Sequence, residues 1–234
     1  FYAINGLTAL TAYDFYIVAY DAAGNVSIAS ETFSIVTPDT EAPTAPTNLA
    51  ATVVTASTLT LNWTAATDNV GVAGYDVYQN GIKINTAPVL STSYDITGLS
   101  QGTTYNFYVK AFGNAGNVSS NSNTVAITTP DTEAPSTPAD LQSSNLTSSS
   151  VTLSWTAATD NTGVTGYNVY QDNVKINSNP VTATTYTVNG LTVLATHEFH
   201  VIAIDAAGNQ STASNTVSVT IPDTEAPTAP TNLA

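Results

Sequence analysis

The sequence predicts an all-β protein built from tandem antiparallel β-sandwiches of about seven strands each. Three observations support this fold class. The chain repeats itself with a period of 92 residues, short segments alternate apolar with polar residues, and no stretch shows the periodicity of an amphipathic helix.

The repeat is defined by the segment PDTEAP, which begins at Pro38, Pro130 and Pro222, each 92 residues after the last. Trp63 and Trp155 keep the same spacing, so no insertion separates the copies. We therefore expect the sequence to be part of a longer array. The predicted domains are 1–38 as the C-terminal part of a repeat, 39–130 and 131–222 as complete repeats, and 223–234 as the start of a further repeat.

The strands of residues 39–130 follow from short segments of the repeat. In TLTLNWT, Leu59, Leu61 and Trp63 alternate with polar residues, which predicts a half-buried strand. The dipeptide Asn80-Gly81 predicts a two-residue hairpin turn, because both positions need positive φ. The predicted strands are NLAATVV from Asn48, TLTLNWT from Thr58, VAGYDVYQ from Val72, IKIN from Ile82, SYDIT from Ser93, TYNFYVKAF from Thr104 and VSSNSNTVAIT from Val118.

The composition excludes several classes of partner. The chain has 17 acidic residues, three lysines and no arginine, for a formal net charge of −14. Binding phosphate groups needs clustered Lys and Arg, so we expect no nucleic-acid partner. No apolar run is long enough for a membrane span, so we expect no membrane insertion of this segment. A surface rich in Ser, Thr and Asn favours an extracellular or cell-surface location.

Residues suited to catalysis are scarce. The two histidines, His197 and His200, are three apart on a predicted strand and therefore point to opposite faces. The chain has no cysteine and no arginine, and no Ser-His pairing recurs between copies. We expect no catalytic residues, no organic cofactor and no enzymatic activity.

Several segments of the repeat together resemble a known protein family. The Pro-rich leading segment, Trp63 on the second strand, GYDVY on the third and Leu99 six residues before Tyr105 together resemble the fibronectin type III domain, an immunoglobulin-like sandwich. WTAATDNVGVAGYDVY with DAAGN is similar to the bacterial branch of that family, which implies a secreted enzyme or surface adhesin. The sequence departs from the family at His197, which occupies the position of Tyr105. If Tyr105 makes the family's buried corner hydrogen bond, an imidazole nitrogen of His197 must make it in the third repeat, or the bond is lost there.

Ten of the 17 acids occupy three recurring stations: the linker station PDTE, the ATDN station and the DAAGN station. The resemblance implies that all three lie at one end of the sandwich. No lysine maps to a station, so like charges would repel there and a cation would relieve the repulsion. The candidate metal ligands are Asp39, Glu41, Asp68 and Asn69 in the second repeat, and Asp131, Glu133, Asp160, Asn161, Asp205 and Asn209 in the third.

Calcium suits such oxygen ligands best, and we hypothesise that it binds at these stations. The alternative is that Asp and Asn before Gly only form turns and need no metal. Gly113 replaces the DAAGN acid in the second repeat, so we expect that copy to bind more weakly or through different ligands.

The favoured function is a noncatalytic stalk or filament segment of a long secreted or surface protein, adhesin-like and stiffened by calcium at its junctions. The alternative is a spacer or carbohydrate-binding accessory array of a secreted polysaccharide-degrading enzyme. The expected partners are other copies of the array, adjoining domains and surface glycans. Glycans would stack on an outward aromatic stripe, but cross-strand aromatic pairs also simply stabilise a sheet, which is the favoured interpretation. The members of the stripe are Tyr16, Tyr78, Tyr108, Tyr170 and His200.

Overall fold

The computed structural model describes residues 1–229 and 231, and this described part contains sixteen antiparallel β-strands and no helix. The all-β prediction is confirmed. Within the same residues no helix is long and apolar enough to cross a membrane. Part of the predicted start of a further repeat, 223–234, lies outside the described residues.

The N-terminal segment contributes one pair of strands, β1 (Ala12–Phe15) and β2 (Phe33–Val36), with Tyr13 opposite Ile35. Its apolar side chains are largely exposed, as at Phe33.

Residues 39–130 contain seven strands in two sheets, as predicted for a sandwich. One sheet has the order β3-β4-β7 and the other β6-β5-β8-β9. The strands are β3 (Thr47–Thr52), β4 (Leu59–Thr64), β5 (Val72–Gln79), β6 (Ile82–Lys83), β7 (Ser93–Ile96), β8 (Thr104–Gly113) and β9 (Val125–Thr128).

The inward side chains of both sheets form the core of this sandwich. Leu59, Leu61 and Trp63 alternate inward along β4, as their spacing predicts. The Trp63 ring meets the edge of Tyr75 at a centroid distance of 5.3 Å. The Tyr75 hydroxyl accepts a hydrogen bond from the Ala66 backbone nitrogen at 3.2 Å, so the buried phenol keeps a polar partner.

The third repeat has the same arrangement. Its sheets have the orders β10-β11-β14 and β13-β12-β15-β16. The strands are β10 (Ala139–Ser144), β11 (Ser150–Thr156), β12 (Val164–Gln171), β13 (Val174–Lys175), β14 (Thr185–Asn189), β15 (Thr196–Asp205) and β16 (Val217–Thr220).

By density of contacts the chain divides into two compact units. The first comprises Phe1–Val54, Thr58–Gly98 and Thr104–Thr128, and the second is chiefly the chain from Thr129 onward, with two short segments from the preceding repeat. The repeat boundaries at residues 38, 130 and 222 stay a prediction.

Two of the predicted strands are much shorter than expected. IKIN forms a strand only over Ile82–Lys83. VSSNSNTVAIT forms one only over Val125–Thr128, and its first part makes a single bridge, Phe112 with Val118. The physical reason is that Ser119 and Ser122 use their hydroxyl oxygens to accept hydrogen bonds from backbone nitrogens of β8, which replaces regular ladder pairing.

The predicted hairpin turn is confirmed. Asn80 and Gly81 have φ of 51° and 83°, the conformation that joins β5 to β6. The third repeat makes the same turn without glycine, with φ of 52° at Asp172 and 66° at Asn173.

Candidate metal site

The linker station of the third repeat is held in place by the loop between β11 and β12. Asp131 Oδ2 accepts a hydrogen bond from the Thr162 hydroxyl at 2.6 Å, and its Oδ1 accepts from Asn161 Nδ2 at 3.1 Å. Glu133 donates its backbone nitrogen to the same Oδ1. The hydrogen bond from Thr162 contributes most to lowering the pKa of Asp131, and the hydrogen bond from Asn161 contributes next. This carboxylate is therefore charged at neutral pH.

The ATDN station contributes Asp160. Only one of its carboxylate oxygens accepts hydrogen bonds from its own loop. Its Oδ1 accepts hydrogen bonds from the Thr162 and Gly163 backbone nitrogens, both at 2.9 Å. Its Oδ2 is buried and has no hydrogen-bond partner among the described residues. One carboxylate oxygen is therefore buried without a hydrogen-bond donor among the described residues.

The DAAGN station contributes Asp205, the last residue of β15, whose side chain is only 3% exposed. Its Oδ1 accepts from the Asn209 backbone nitrogen at 2.8 Å, and its Oδ2 accepts from Asn209 Nδ2 at 2.7 Å. Both of these donors are neutral amide groups of Asn209.

The three stations meet. One oxygen from each of Asp131, Asp160 and Asp205 lies within 4.8 Å of the others. Calcium binds oxygen at about 2.3–2.6 Å, so two ligands of one ion lie at most about 5 Å apart. The three carboxylates are close enough to share such an ion.

Three other predicted ligands of this repeat are placed differently. Asn161 and Asn209 direct their amide nitrogens, rather than their oxygens, at the carboxylates of Asp131 and Asp205. They act here as hydrogen-bond donors to the site. The side chain of Glu133 is exposed and is not part of the group of three carboxylates.

Thr162 also lies at this site, although the sequence did not predict it. Its hydroxyl lies 2.6 Å from Asp131 Oδ2 and 3.0 Å from Asp160 Oδ1. It joins two of the stations. A signal was present, since the third copy reads TDNT where the second reads TDNV, with Val70 in place of Thr162.

The second repeat has two of the three carboxylates. Asp39 is 8% exposed; its Oδ1 accepts from Asn69 Nδ2 at 3.3 Å, and its Oδ2 is buried with no partner in the described part of the chain. Asp68 Oδ2 accepts from the Gly71 backbone nitrogen at 2.9 Å, and its Oδ1 is likewise buried and unpartnered there. Gly113 ends β8 where Asp205 ends β15.

Two further residues of the second repeat lie beside this pair of carboxylates. The predicted ligand Glu41 is exposed, and its carbonyl oxygen accepts from Asn117 Nδ2 at 2.7 Å. Asn117, which corresponds to Asn209, thus fixes the linker station through a hydrogen bond to its backbone.

The aromatic stripe consists of stacked pairs in both complete repeats. The rings of Tyr78 and Tyr108 stack with centroids 4.7 Å apart, and those of Tyr170 and His200 stack at 4.8 Å. Each ring covers a face of its partner, which favours the sheet-stabilising interpretation. Tyr16, in the N-terminal segment, is 63% exposed.

Comparison with known proteins decides the family. The family described as fibronectin type III domain matches residues 44–128 and 135–220. The chain belongs to this family. The tandem fibronectin type III prediction is therefore confirmed, and so is the sandwich fold. The match is to fibronectin type III sequence and not to a catalytic domain, in agreement with the prediction that this chain is not an enzyme.

The relatives of this fibronectin type III chain include large bacterial proteins. It is 50% identical over 77% of its length to Chitinase A1 of Niallia circulans and 47% identical over 85% to Exoglucanase B of Cellulomonas fimi. It is 36% identical over 97% to Endoglucanase B of Cellulomonas fimi. The chain spans only 26%, 19% and 23% of the length of these three relatives.

Proposed function

We propose that this fibronectin type III chain is a noncatalytic spacer array of a secreted polysaccharide-degrading enzyme. The observation that carries the proposal is the identity over most of the chain to segments of a chitinase, an exoglucanase and an endoglucanase. In each of them the similar segment is a minor part of the protein. These relatives favour the alternative named from the sequence over the adhesin-like stalk or filament that the sequence favoured.

The role of the array in this proposal is to set the distance between the domains it joins. Each complete repeat buries apolar side chains of its own, so each would occupy a fixed volume between the joined domains. Glycan binding is not part of the proposal, because the stacked ring pairs already cover one face of each ring.

The finer part of the proposal is calcium at the linker stations. A cation shared by the linker and the two loops would tie the linker to the sandwich that follows it. Support comes from the grouping of three carboxylates in the third repeat and from buried carboxylate oxygens without donors in both described repeats.

The test uses the complete parent protein. Deletion of residues 39–222 in frame should leave hydrolysis of a soluble oligosaccharide unchanged and should slow hydrolysis of insoluble chitin or cellulose severalfold. A control replaces the same residues with a flexible Gly-Ser linker of similar reach, which separates spacing from stiffness. A parent reading frame without a polysaccharide-degrading domain would overturn the proposal, as would unchanged hydrolysis of the insoluble polymer.

A further inference from the structure

The hairpin turn of the second repeat combines an asparagine with a following glycine. Asn80 and Gly81 join β5 to β6, and both residues are exposed, so water reaches the turn. A backbone nitrogen that attacks the side-chain carbonyl carbon of the preceding asparagine displaces the amide group. Glycine has no Cβ, so the nitrogen of Gly81 approaches that carbon with little steric hindrance.

The side-chain carbonyl of Asn80 is held by a backbone donor of β8. Asn80 Oδ1 accepts a hydrogen bond from the Asn106 backbone nitrogen at 2.9 Å. The Asn80 backbone nitrogen in turn donates to the Asn106 carbonyl oxygen at 2.8 Å. An N–H group at the side-chain oxygen stabilises the negative charge that develops there when a nucleophile attacks Cγ.

We propose that Asn80 is a site of spontaneous deamidation, a modification that is independent of the spacer role and of calcium. The Gly81 nitrogen forms a bond to Asn80 Cγ, which closes a succinimide ring. The Cγ–Nδ2 bond breaks, and Nδ2 leaves as ammonia with the proton that the Gly81 nitrogen gives up. Water then opens the ring at one of its two carbonyl carbons. Opening at Cγ gives aspartate, and opening at the backbone carbonyl carbon gives isoaspartate.

The third repeat shows which product the turn accepts. Asp172 occupies the position of Asn80 with nearly the same φ, 52° against 51°. Its Oδ1 accepts a hydrogen bond from the Glu198 backbone nitrogen at 2.9 Å, the bond that Asn80 accepts from Asn106. Aspartate at position 80 therefore keeps the turn. Isoaspartate adds an atom to the main chain of a two-residue turn, so that product disrupts the hairpin.

Two other Asn-Gly pairs of the chain serve as internal references. Asn189 is the last residue of β14 and lies opposite Ser150, and no donor contacts its Oδ1 in the described part of the chain. We expect Asn80 to lose its amide roughly tenfold faster than Asn189, because only Asn80 has an N–H group at the reacting carbonyl. Asn5 is exposed and lies outside the strands, so its reaction shows that the conditions suffice.

The experiment ages the full chain at mildly alkaline pH and physiological temperature. Mass spectrometry of its peptides then measures the conversion of each asparagine, and fragmentation distinguishes aspartate from isoaspartate. The matched variant Gly81→Asn copies Asn173, which has φ of 66° at this position of the third repeat. Its side chain hinders the attacking nitrogen and should slow the reaction at Asn80 roughly tenfold.

The variant Asn80→Asp should keep the thermal midpoint of the fresh wild-type chain and should show no further mass change at this position. The aged wild-type chain should contain an additional fraction with a lower midpoint, which is the isoaspartate form. Retention of the amide at Asn80 would overturn the proposal, with or without reaction at Asn5. Equal rates at Asn80 and Asn189 would also overturn it, as would an unchanged rate in a Gly81→Asn variant that circular dichroism shows to be folded.

Discussion

His197 is the residue at which the third repeat departs most clearly from the other copies. In the N-terminal copy the Tyr13 hydroxyl accepts a hydrogen bond from the Thr8 backbone nitrogen at 2.9 Å. His197 instead turns Nδ1 toward Asp172, and its buried Nε2 has no partner among the described residues. His197 Nε2 therefore does not make the hydrogen bond that the Tyr13 hydroxyl makes in the N-terminal copy. The pKa of Asp172 is lowered mainly by the hydrogen bond that it accepts from the Glu198 backbone nitrogen. Its contact with His197 is the second cause.

We predict that His197→Tyr stabilises the third repeat. A tyrosine at this position would direct its hydroxyl toward the Thr192 backbone nitrogen, which corresponds to that of Thr8, and would remove the unpartnered Nε2. The expected gain is about 0.5–1.5 kcal/mol in the free energy of unfolding, the net value of one hydrogen bond. Urea unfolding measures it. The reciprocal change Tyr105→His should destabilise the second repeat, and equal stability of both variants with wild type would contradict the argument.

At this scale the sequence predicts that acids of the three stations converge, but not that Glu133 stays outside the group or how the side chains are oriented. Asp131, Asp160 and Asp205 could be predicted because each recurs at a fixed place in the repeat. The burial of Asp205 depends on β15 continuing to that residue, and the direction of the Asn209 amide depends on a side-chain torsion. Neither feature can be predicted from the pattern of residue types.

At the scale of elements, the segment between β8 and β9 is held by serine side chains. Ser122 Oγ accepts from the Val109 backbone nitrogen and donates to the Asn123 carbonyl oxygen. Ser119 does the same with Ala111 and Ser120. Ser211 and Ser214 repeat the arrangement in the third repeat. Each hydroxyl thus serves a backbone donor that a regular strand partner would otherwise satisfy.

We predict that Ser122→Ala destabilises the second repeat by about 1–3 kcal/mol, because the buried Val109 nitrogen loses its acceptor. Thermal unfolding followed by tryptophan fluorescence measures the change. Ser120→Ala is the matched control, since Ser120 lies in the same segment but its side chain is exposed. Equal unfolding midpoints for the two variants would show that the Ser122 hydroxyl does not carry this contact.

The strands themselves were predictable wherever apolar and polar residues alternate. VAGYDVYQ begins and ends as predicted, at β5. The sequence predicts one long strand from Val118, whereas the structure forms it only over Val125–Thr128. The serines that cap β8, Ser119 and Ser122, are three residues apart, a spacing that a regular strand would place on opposite faces. A run of small polar residues without glycine or proline therefore does not by itself predict a regular strand.

At the scale of the whole molecule, the charge is unbalanced. Of the three lysines, Lys83 lies 2.7 Å from Asp76 and Lys110 lies 5.8 Å from the centre of the Tyr78 ring. The formal charge of −14 already counts all three lysines, so it is a net excess of negative charge on the chain. Self-repulsion of this kind destabilises the compact state and is reduced by salt.

We predict that the thermal midpoint rises with sodium chloride between about 10 mM and about 1 M, a range over which the screening length falls from about 30 Å to about 3 Å. A gain of about 1 kcal/mol corresponds to roughly 4–8 °C for a domain of this size. Calcium chloride at matched ionic strength should raise the midpoint further in the wild-type chain, because an ion bound only by the folded state adds to its stability. Asp160→Asn should keep the response to sodium chloride and lose the additional response to calcium, since it removes a ligand but only one charge. If calcium and sodium act equally on the wild-type chain, screening alone accounts for the effect.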